Sequence, residues 1–303
     1  MQTSQKILVI VGQTATGKSS LAVKFAKKLN GEVISADSRH VYKGLDIGTG
    51  KITKKEMRAV PHHLLDIANP KKRFTVVEYA EKARPAIAAI AGRDKLPIIV
   101  GGTGFYISAL VDGVVFPDVP PNPKFRKQLA KKSASELFGM LRKLDANRAK
   151  NIDPKNIRRL IRAIEIAKNA ERTRIRRGPD ADKMHPPYNT LFIGLTLPKE
   201  ELQKRIHHRL LKRLKQGMIK EAQLLHKKGL LFKRMEELGL EYRYLALYLK
   251  KQISKTEMIE KLETEIWRYA RRQMTWFKRD KRIRWFSPTQ TKQIKSEVKR
   301  FLV

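Results

Sequence analysis

Cysteine is absent from the 303 residues, which excludes disulfides, thiolate zinc sites, iron–sulfur clusters and a cysteine nucleophile. The absence fits a reducing compartment. No apolar run approaches the roughly 20 residues that a membrane helix needs. The first six residues lead straight into an apolar stretch at 7–11, too short for a signal peptide and without its small-residue cleavage pattern. The expectation is a soluble, cytoplasmic, monomeric protein with no membrane partner. Acid is scarce as well: 29 Asp and Glu stand against 66 Lys and Arg, a formal net charge of +37. Such a surplus points to a polyanionic partner, nucleic acid first. With 41% hydrophobic residues the chain is not a disordered basic tail. Its length allows two domains, or one large domain with an insertion.

The first third alternates strand and helix signals. Residues 7–11, 32–36, 96–100 and later 191–197 are short apolar runs, as in buried parallel strands, and 19–29 and 76–91 have helical spacing. This pattern predicts a P-loop NTPase-like α/β fold, a parallel sheet flanked by helices with ligands at the strand carboxyl ends. Between 117 and 187 the character changes. The segment opens on Pro117, Pro120, Pro121 and Pro123, closes near Gly178-Pro179 and Pro186-Pro187, and holds 19 basic against 8 acidic residues in helical patterns. Because a strand signal follows, 117–187 reads as a basic helical insertion, and 1–116 with 188–303 as the core. Beyond 198 the chain reads as helices over 199–228, 240–250 and 255–279, with one short apolar piece at 283–286.

Gly12-Gln13-Thr14-Ala15-Thr16-Gly17-Lys18-Ser19 fits G-x-x-x-x-G-K-[ST] at every fixed position, after a strand signal and before a helix signal. Glycines let the backbone wrap close, so its N–H groups and the helix N-terminus face phosphate. Lys18 adds a point charge, and the Ser19 hydroxyl can ligate Mg²⁺. The loop specifies phosphate, not ATP. An acid after a second buried strand usually holds Mg²⁺ in phosphoryl transfer, yet 96–100 runs into Gly101-Gly102-Thr103. The acid directly at a strand end is Asp37, expected on the strand adjacent to the loop. Facing phosphate, it reads as a metal ligand or as a base for a second substrate, with a helix N-cap as the plain alternative. His62-His63 is a poor metal pair, because neighbours on an extended chain point to opposite faces.

Further segments form an ordered series with the loop: ISADSRHVYKGLDIGT (34–49), PHHLLD (61–66), GGTGFY (101–106), DPKNIRRLIRAIE (153–165), RIHHRL (205–210) and RYARRQMTWF (268–277). The series resembles the tRNA dimethylallyltransferase family over about residues 7–280. That resemblance implies transfer of a dimethylallyl group from dimethylallyl diphosphate to the exocyclic N6 amine of the adenosine 3′ of the anticodon (position 37), with release of diphosphate and with Mg²⁺ as cofactor. It implies that residues 12–19 hold the diphosphate, that Asp37 is the general base, and that Thr103 and Arg209 stand at the reaction centre. Asp37, Ser38, Arg39, His40 and Thr103 would meet the flipped adenosine. Arg126, Arg158, Arg159 and Arg162 match positions that contact the anticodon stem-loop. Arg268, Arg271 and Arg272, interleaved with aromatics, are candidates for the same role. The chain departs from the family's pattern at Gln13, at Arg39-His40, and at 239–244, where Gly-Leu-Glu-Tyr-Arg-Tyr puts C-terminal RNA contacts in question. Rival readings are a P-loop kinase of a small molecule, a prenyltransferase acting on free AMP, ADP or ATP, and a non-catalytic RNA-binding module. The basic insertion and the glycines after Val100 weigh against the first two, and an idle P-loop against the third.

Overall fold

A computed structural model of the chain describes residues 5–114, 116–117, 119–173 and 188–303. Contacts divide it into two compact units, Met1–Val114 with His185–Val303, and Val115–Met184. The Gly178-Pro179 and Pro186-Pro187 punctuation lies outside the described residues.

The first unit is built on one six-stranded parallel sheet. Its strands are β1 (Lys6–Gly12), β2 (Gly31–Ser35), β3 (His62–His63), β4 (Leu96–Val100), β5 (Asn189–Leu195) and β6 (Ile283–Phe286), in spatial order β3-β2-β4-β1-β5-β6. Parallel strands covered on both faces must be apolar throughout. Ile7 to Val11 are all fully buried, as are Val33, Ile34, Ile98 and Ile99. Early in the chain come α1 (Lys18–Lys28), α2 (Lys54–Met57), α3 (Val76–Ala91) and α4 (Gly104–Val111). Helix α2 is a single turn that buries no residue, and the other three each have a buried apolar side. Thr75 and Glu78 form a reciprocal capping box at the start of α3, which fixes its first turn.

The second unit holds α5 (Pro123–Leu129), α6 (Ala134–Leu144), α7 (Ala146–Lys150) and α8 (Ile157–Thr173), closed around Leu129, Leu137, Leu141, Leu160 and Ile164. The first unit then continues with α9 (Lys199–Lys215), α10 (Met218–Lys227), α11 (Phe232–Leu238), α12 (Leu240–Leu249), α13 (Lys255–Phe277) and α14 (Thr291–Leu302).

Three expectations are corrected here. Residues 199–228 are two helices, not one, because Gly217 sits at φ 99° between α9 and α10, a left-handed conformation that ends a helix. Helix α14 was not expected. It buries Ile294 and Val298 and packs Phe301 and Leu302 beside them, a stripe at helical spacing i, i+4, i+7 and i+8. Strand β2 is not the neighbour of β1, since β4 lies between them. In the 239–244 segment Arg243 is exposed and the others are at least partly covered. Tyr242 is buried and donates to Glu221, and Glu241 pairs with Arg213.

At the start of β2, buried Glu32 accepts from His63 (2.7 Å), Arg93 (2.8 Å) and Lys95 (2.8 Å). Burial opposes its charge, but these three partners overcome that and hold its pKa down to about 2. His63 thus serves the sheet, while His62 points the other way.

Candidate active site

At the carboxyl ends of β1, β2 and β4 lies a cavity of about 80 Å³ lined by Thr14, Lys18, Ser19, Asp37, His40, Gly50, His62, Arg209, Tyr269 and Gln273 among others. The phosphate loop forms one wall. Gly17 has φ 92°, and no atom lies within 4 Å of where a Cβ would sit. The position needs glycine for its backbone, and it leaves open space where an anion is expected. Gly12 and Ala15 also take positive φ. Thr16 is buried and donates to the Gln13 carbonyl at 2.8 Å.

Asp37 reaches this wall although β4 intervenes. The reason is Gly101: a Cβ there would come within 2.0 Å of the Ala36 carbonyl oxygen. The glycine pair thus lets the chain after β2 fold across the end of β4. Ala36 N–H donates to the Val100 carbonyl (2.7 Å), and Thr103 N–H donates to the Ala36 carbonyl (3.1 Å). Thr103 Oγ1 accepts from the Ser38 N–H at 3.0 Å. Asp37, Ser38 and Thr103 therefore form one bound corner.

Electrostatics set the protonation states. Burial opposes ionisation of Asp37, but His40, the Arg39 N–H at 2.9 Å, the Arg39 charge and Lys18 together hold its carboxyl below the usual range. Burial and Arg209 push the His40 ring down, against the pull of Asp37. Desolvation and the Arg209 guanidinium lower Lys18 to about 7, with Asp37 pulling the other way. Two cations face one small cavity, which is an arrangement for a polyanion. The Lys18 ammonium donates to the Gln13 carbonyl.

A bound anion would restore the ordinary lysine pKa, so binding above pH 7 should take up a proton. Affinity for a diphosphate should be fully present below pH 7 and decline as pH rises past it. Calorimetry at pH 8 in two buffers of different ionisation enthalpy should detect this uptake. Lys18→Met should abolish it, and equal uptake in that variant would place the titration elsewhere.

The opposite wall comes from the C-terminal helices. Arg209 on α9 donates to Thr14 Oγ1 (3.2 Å) and to the Gly50 carbonyl (2.9 Å). Gln273 on α13 accepts from the Thr14 N–H (2.8 Å) and donates to the Gly102 carbonyl (3.0 Å), pinning both loops at once. Gln13 donates to the Ala270 carbonyl at 3.2 Å, so this departure from the family's pattern ties the phosphate loop to α13. Tyr269 lines the cavity, its phenol raised above the usual range by burial and by Asp37. The loop at 46–48 is held by Glu221, whose carboxylate accepts three backbone N–H groups at 2.7–3.0 Å.

The sequence did not single out Gln273 or Glu221 as site residues, offered Tyr269 only among the aromatics beside the arginines, and offered His62 only as half of a poor metal pair. For Gln273 and Tyr269 a further signal existed: the 3.6 period puts 266, 269, 270, 273 and 277 on the inner face of α13. The same period turns Arg268, Arg271 and Arg272 outward. They are exposed and do not line the cavity, and Arg268 pairs with Glu265 at 2.6 Å. His62 donates from Nδ1 to the Val60 carbonyl at 2.8 Å, and its Nε2 is buried with no partner among the described residues. Burial lowers its pKa, so the ring offers the cavity a bare acceptor.

In the second unit the candidate arginines divide. Arg126 and Arg162 both bind buried Glu165 at 2.6 Å, and Arg162 also donates to the Val119 carbonyl. Arg158 and Arg159 are exposed, with no ion pair among the described residues.

Fold and site together define an α/β protein of the P-loop kind, with two cations and an ionised carboxylate facing one cavity. The family model described as IPP transferase matches residues 40–280, and that described as isopentenyl transferase matches residues 5–71. The chain belongs to this family, the tRNA dimethylallyltransferases. It is 41% identical over 286 residues to the tRNA dimethylallyltransferase of Anoxybacillus flavithermus, covering 94% of this chain and 91% of that protein. To tRNA dimethylallyltransferase 2 of Treponema denticola it is 44% identical over 277 residues, covering 90% and 91%. Among solved structures, the full-length tRNA isopentenylpyrophosphate transferase of Bacillus halodurans superposes with a TM-score of 0.70 at 38% identity, covering 93% of this chain and 89% of that one. A eukaryotic dimethylallyltransferase acting on tRNA superposes with a TM-score of 0.75 at 28% identity, covering 90% and 70%.

Proposed function

We propose that this chain transfers a dimethylallyl group from dimethylallyl diphosphate to N6 of the adenosine 3′ of the anticodon in tRNA, releasing diphosphate. The observation that carries the reading is the single cavity in which Lys18 and Arg209 face Asp37. Residues 12–19 and Arg209 hold the diphosphate. The allylic C–O bond breaks with its electron pair going to diphosphate, and the growing charge meets the Lys18 ammonium and the Arg209 guanidinium. The N6 lone pair forms the new C–N bond, and the proton that N6 loses goes to the Asp37 carboxylate. Alkylation makes that nitrogen strongly acidic, so a carboxylate with a depressed pKa suffices as base. Thr103 and Ser38 fix the corner that carries Asp37. An adenine amine inside a stacked loop is out of reach, so the base must be extruded into the cavity.

Mg²⁺ fits as a diphosphate-borne ion. Among the described residues no cluster of three or more His, Asp or Glu could cage a metal, so Ser19 would be a protein ligand beside phosphate oxygens and water. There it would neutralise charge on the leaving group. Among the described residues no helix is long and apolar enough to cross a membrane. We read the enzyme as a cytoplasmic monomer.

The direct test offers tRNA, AMP or ATP as acceptor with dimethylallyl diphosphate and Mg²⁺, and reads mass. Only tRNA should gain one dimethylallyl group. Modification of AMP, or tRNA-independent phosphate release from ATP, would overturn the reading. On the RNA side, Arg158→Ala with Arg159→Ala should make the log–log salt dependence of tRNA binding shallower by about 2 units, with folding unchanged. An unchanged slope would reduce the pair to a solvated face.

A further inference from the structure

Helices α1 and α14 lie side by side on one face of the sheet. Ala22, Val23, Phe25 and Ala26 of α1 share an apolar cluster with Ile294 and Val298 of α14. What these helices turn outward is mostly cationic, with Ser19, Ser20, Gln293 and Ser296 between the charges. Lys24, Lys27 and Lys28 are exposed on α1, and Lys292, Lys295 and Lys299 on α14. Helix α1 has no acidic residue, and the one acid on α14, Glu297, is engaged by Arg284 and Arg300. None of the six lysines has a carboxylate partner among the described residues. Some surface cations elsewhere are matched, Lys132 with Glu136, Arg205 with Glu201, Lys250 with Glu236 and Lys261 with Glu257, while Lys54, Lys55, Lys124, Lys127 and Lys131 are exposed without an ion pair among the described residues.

We propose that the exposed lysine face of α1 and α14 is a second RNA-binding surface, one that takes the phosphodiester backbone of structured RNA without reading its sequence. Lys28 and Lys24 push the Lys295 ammonium below the usual lysine range, so the three stand close enough to repel. Like charges gathered without acid weaken a fold unless an anion neutralises them. Lysines supply point charges that position phosphates, and no exposed aromatic lies among them to stack on a base. The surface is separate from the cavity: Lys28 follows Lys18 by ten residues, about 15 Å along the helix. It offers charge that one stem-loop gripped elsewhere does not need, and it would raise the encounter rate with tRNA through sequence-independent attraction.

The surface concerns binding and not transfer, so it stands or falls apart from the proposed reaction. The triple variant K24Q/K28Q/K295Q tests it in the full chain. The probe is a fully paired RNA hairpin with no unpaired adenosine, titrated by fluorescence anisotropy over a salt series beside full-length tRNA. The expected result is a log–log slope shallower by about 2–3 units with both RNAs. Prenyl transfer to a saturating anticodon stem-loop should be unaffected, and melting at low salt should be no lower than in the unsubstituted protein. An unchanged slope with the hairpin overturns the proposal. So does loss of RNA binding together with a lowered melting temperature, which would assign the lysines to the fold. Wild-type binding to phosphatidylglycerol vesicles that is lost in the variant, with hairpin binding intact, would make the surface a membrane contact instead. Loss of hairpin affinity in a protein that prenylates no RNA would leave the surface standing and remove the proposed reaction.

Discussion

Asp37→Asn should lower the single-turnover rate of prenyl transfer by about 10²–10⁴-fold, the usual contribution of a positioned general base. The change keeps the size of the side chain and its acceptor for the Arg39 N–H at 2.9 Å, so the corner with Ser38 and Thr103 should survive. Among the described residues that line the cavity, Asp37 is the one carboxylate, and the change removes it. Binding of dimethylallyl diphosphate should hold or tighten, since a negative charge leaves a cavity meant for an anion. Quench-flow with enzyme in excess over tRNA separates this loss from product release. The depressed pKa of Asp37 adds a second expectation. Asp37 stays ionised as pH falls from 8 to 5, so it should cause no loss of rate over that interval. A variant within a few-fold of the unsubstituted enzyme would remove Asp37 from the proton transfer.

Glu165→Ala should destabilise the second unit by about 3 kcal/mol, the loss expected when one partner of a buried ion pair is removed. Its side chain is 4% exposed and accepts from Arg126, Arg162 and the Asn122 N–H. Against the cost of burial, Arg126, Asn122 and Arg162 hold its pKa down to about 2. The sign follows from that depression. The stabilisation is present above about pH 4.5, the unfolded value, and is lost as pH falls toward 2. The arginines are each about one third exposed, so water screens part of the effect and the figure sits at the low end of its range. Hydrogen exchange should show α8 opening far more often in the variant, and tRNA affinity should fall with it while affinity for dimethylallyl diphosphate does not. Unchanged protection of α8 would mean that the apolar cluster around Leu160 and Ile164 holds the unit without the ion pairs.

This division recasts the arginines of 153–165. Sequence spacing puts Arg158 and Arg162 on one helix face and offers both to RNA. Packing decides otherwise for Arg162, because Glu165 is buried one turn away and needs a partner. Helical periodicity carries no information about which charge is claimed from across a core.

The same limit appears throughout the first unit. The sequence by itself determined the parallel strands at 7–11 and 96–100, because continuous apolar runs of that length are buried on both faces, whereas the short apolar piece at 283–286 became a strand only in the fold. It determined the phosphate loop, because glycine at 17 is the residue that takes φ 92° without cost. It put Asp37 at a strand end. Only the tertiary structure decided that β4 separates β1 from β2, and that Gly101 lets Asp37 cross that gap to face Lys18. Helical period turns Gln273 inward and Arg271 and Arg272 outward, but only the tertiary structure shows that Gln273 joins Thr14 to Gly102. Strand order and cross-chain hydrogen bonds link residues more than 170 positions apart, and local pattern is silent at that range. Helix α14 was legible in Ile294, Val298, Phe301 and Leu302, which recur at helical spacing, but only the fold laid its lysines beside those of α1.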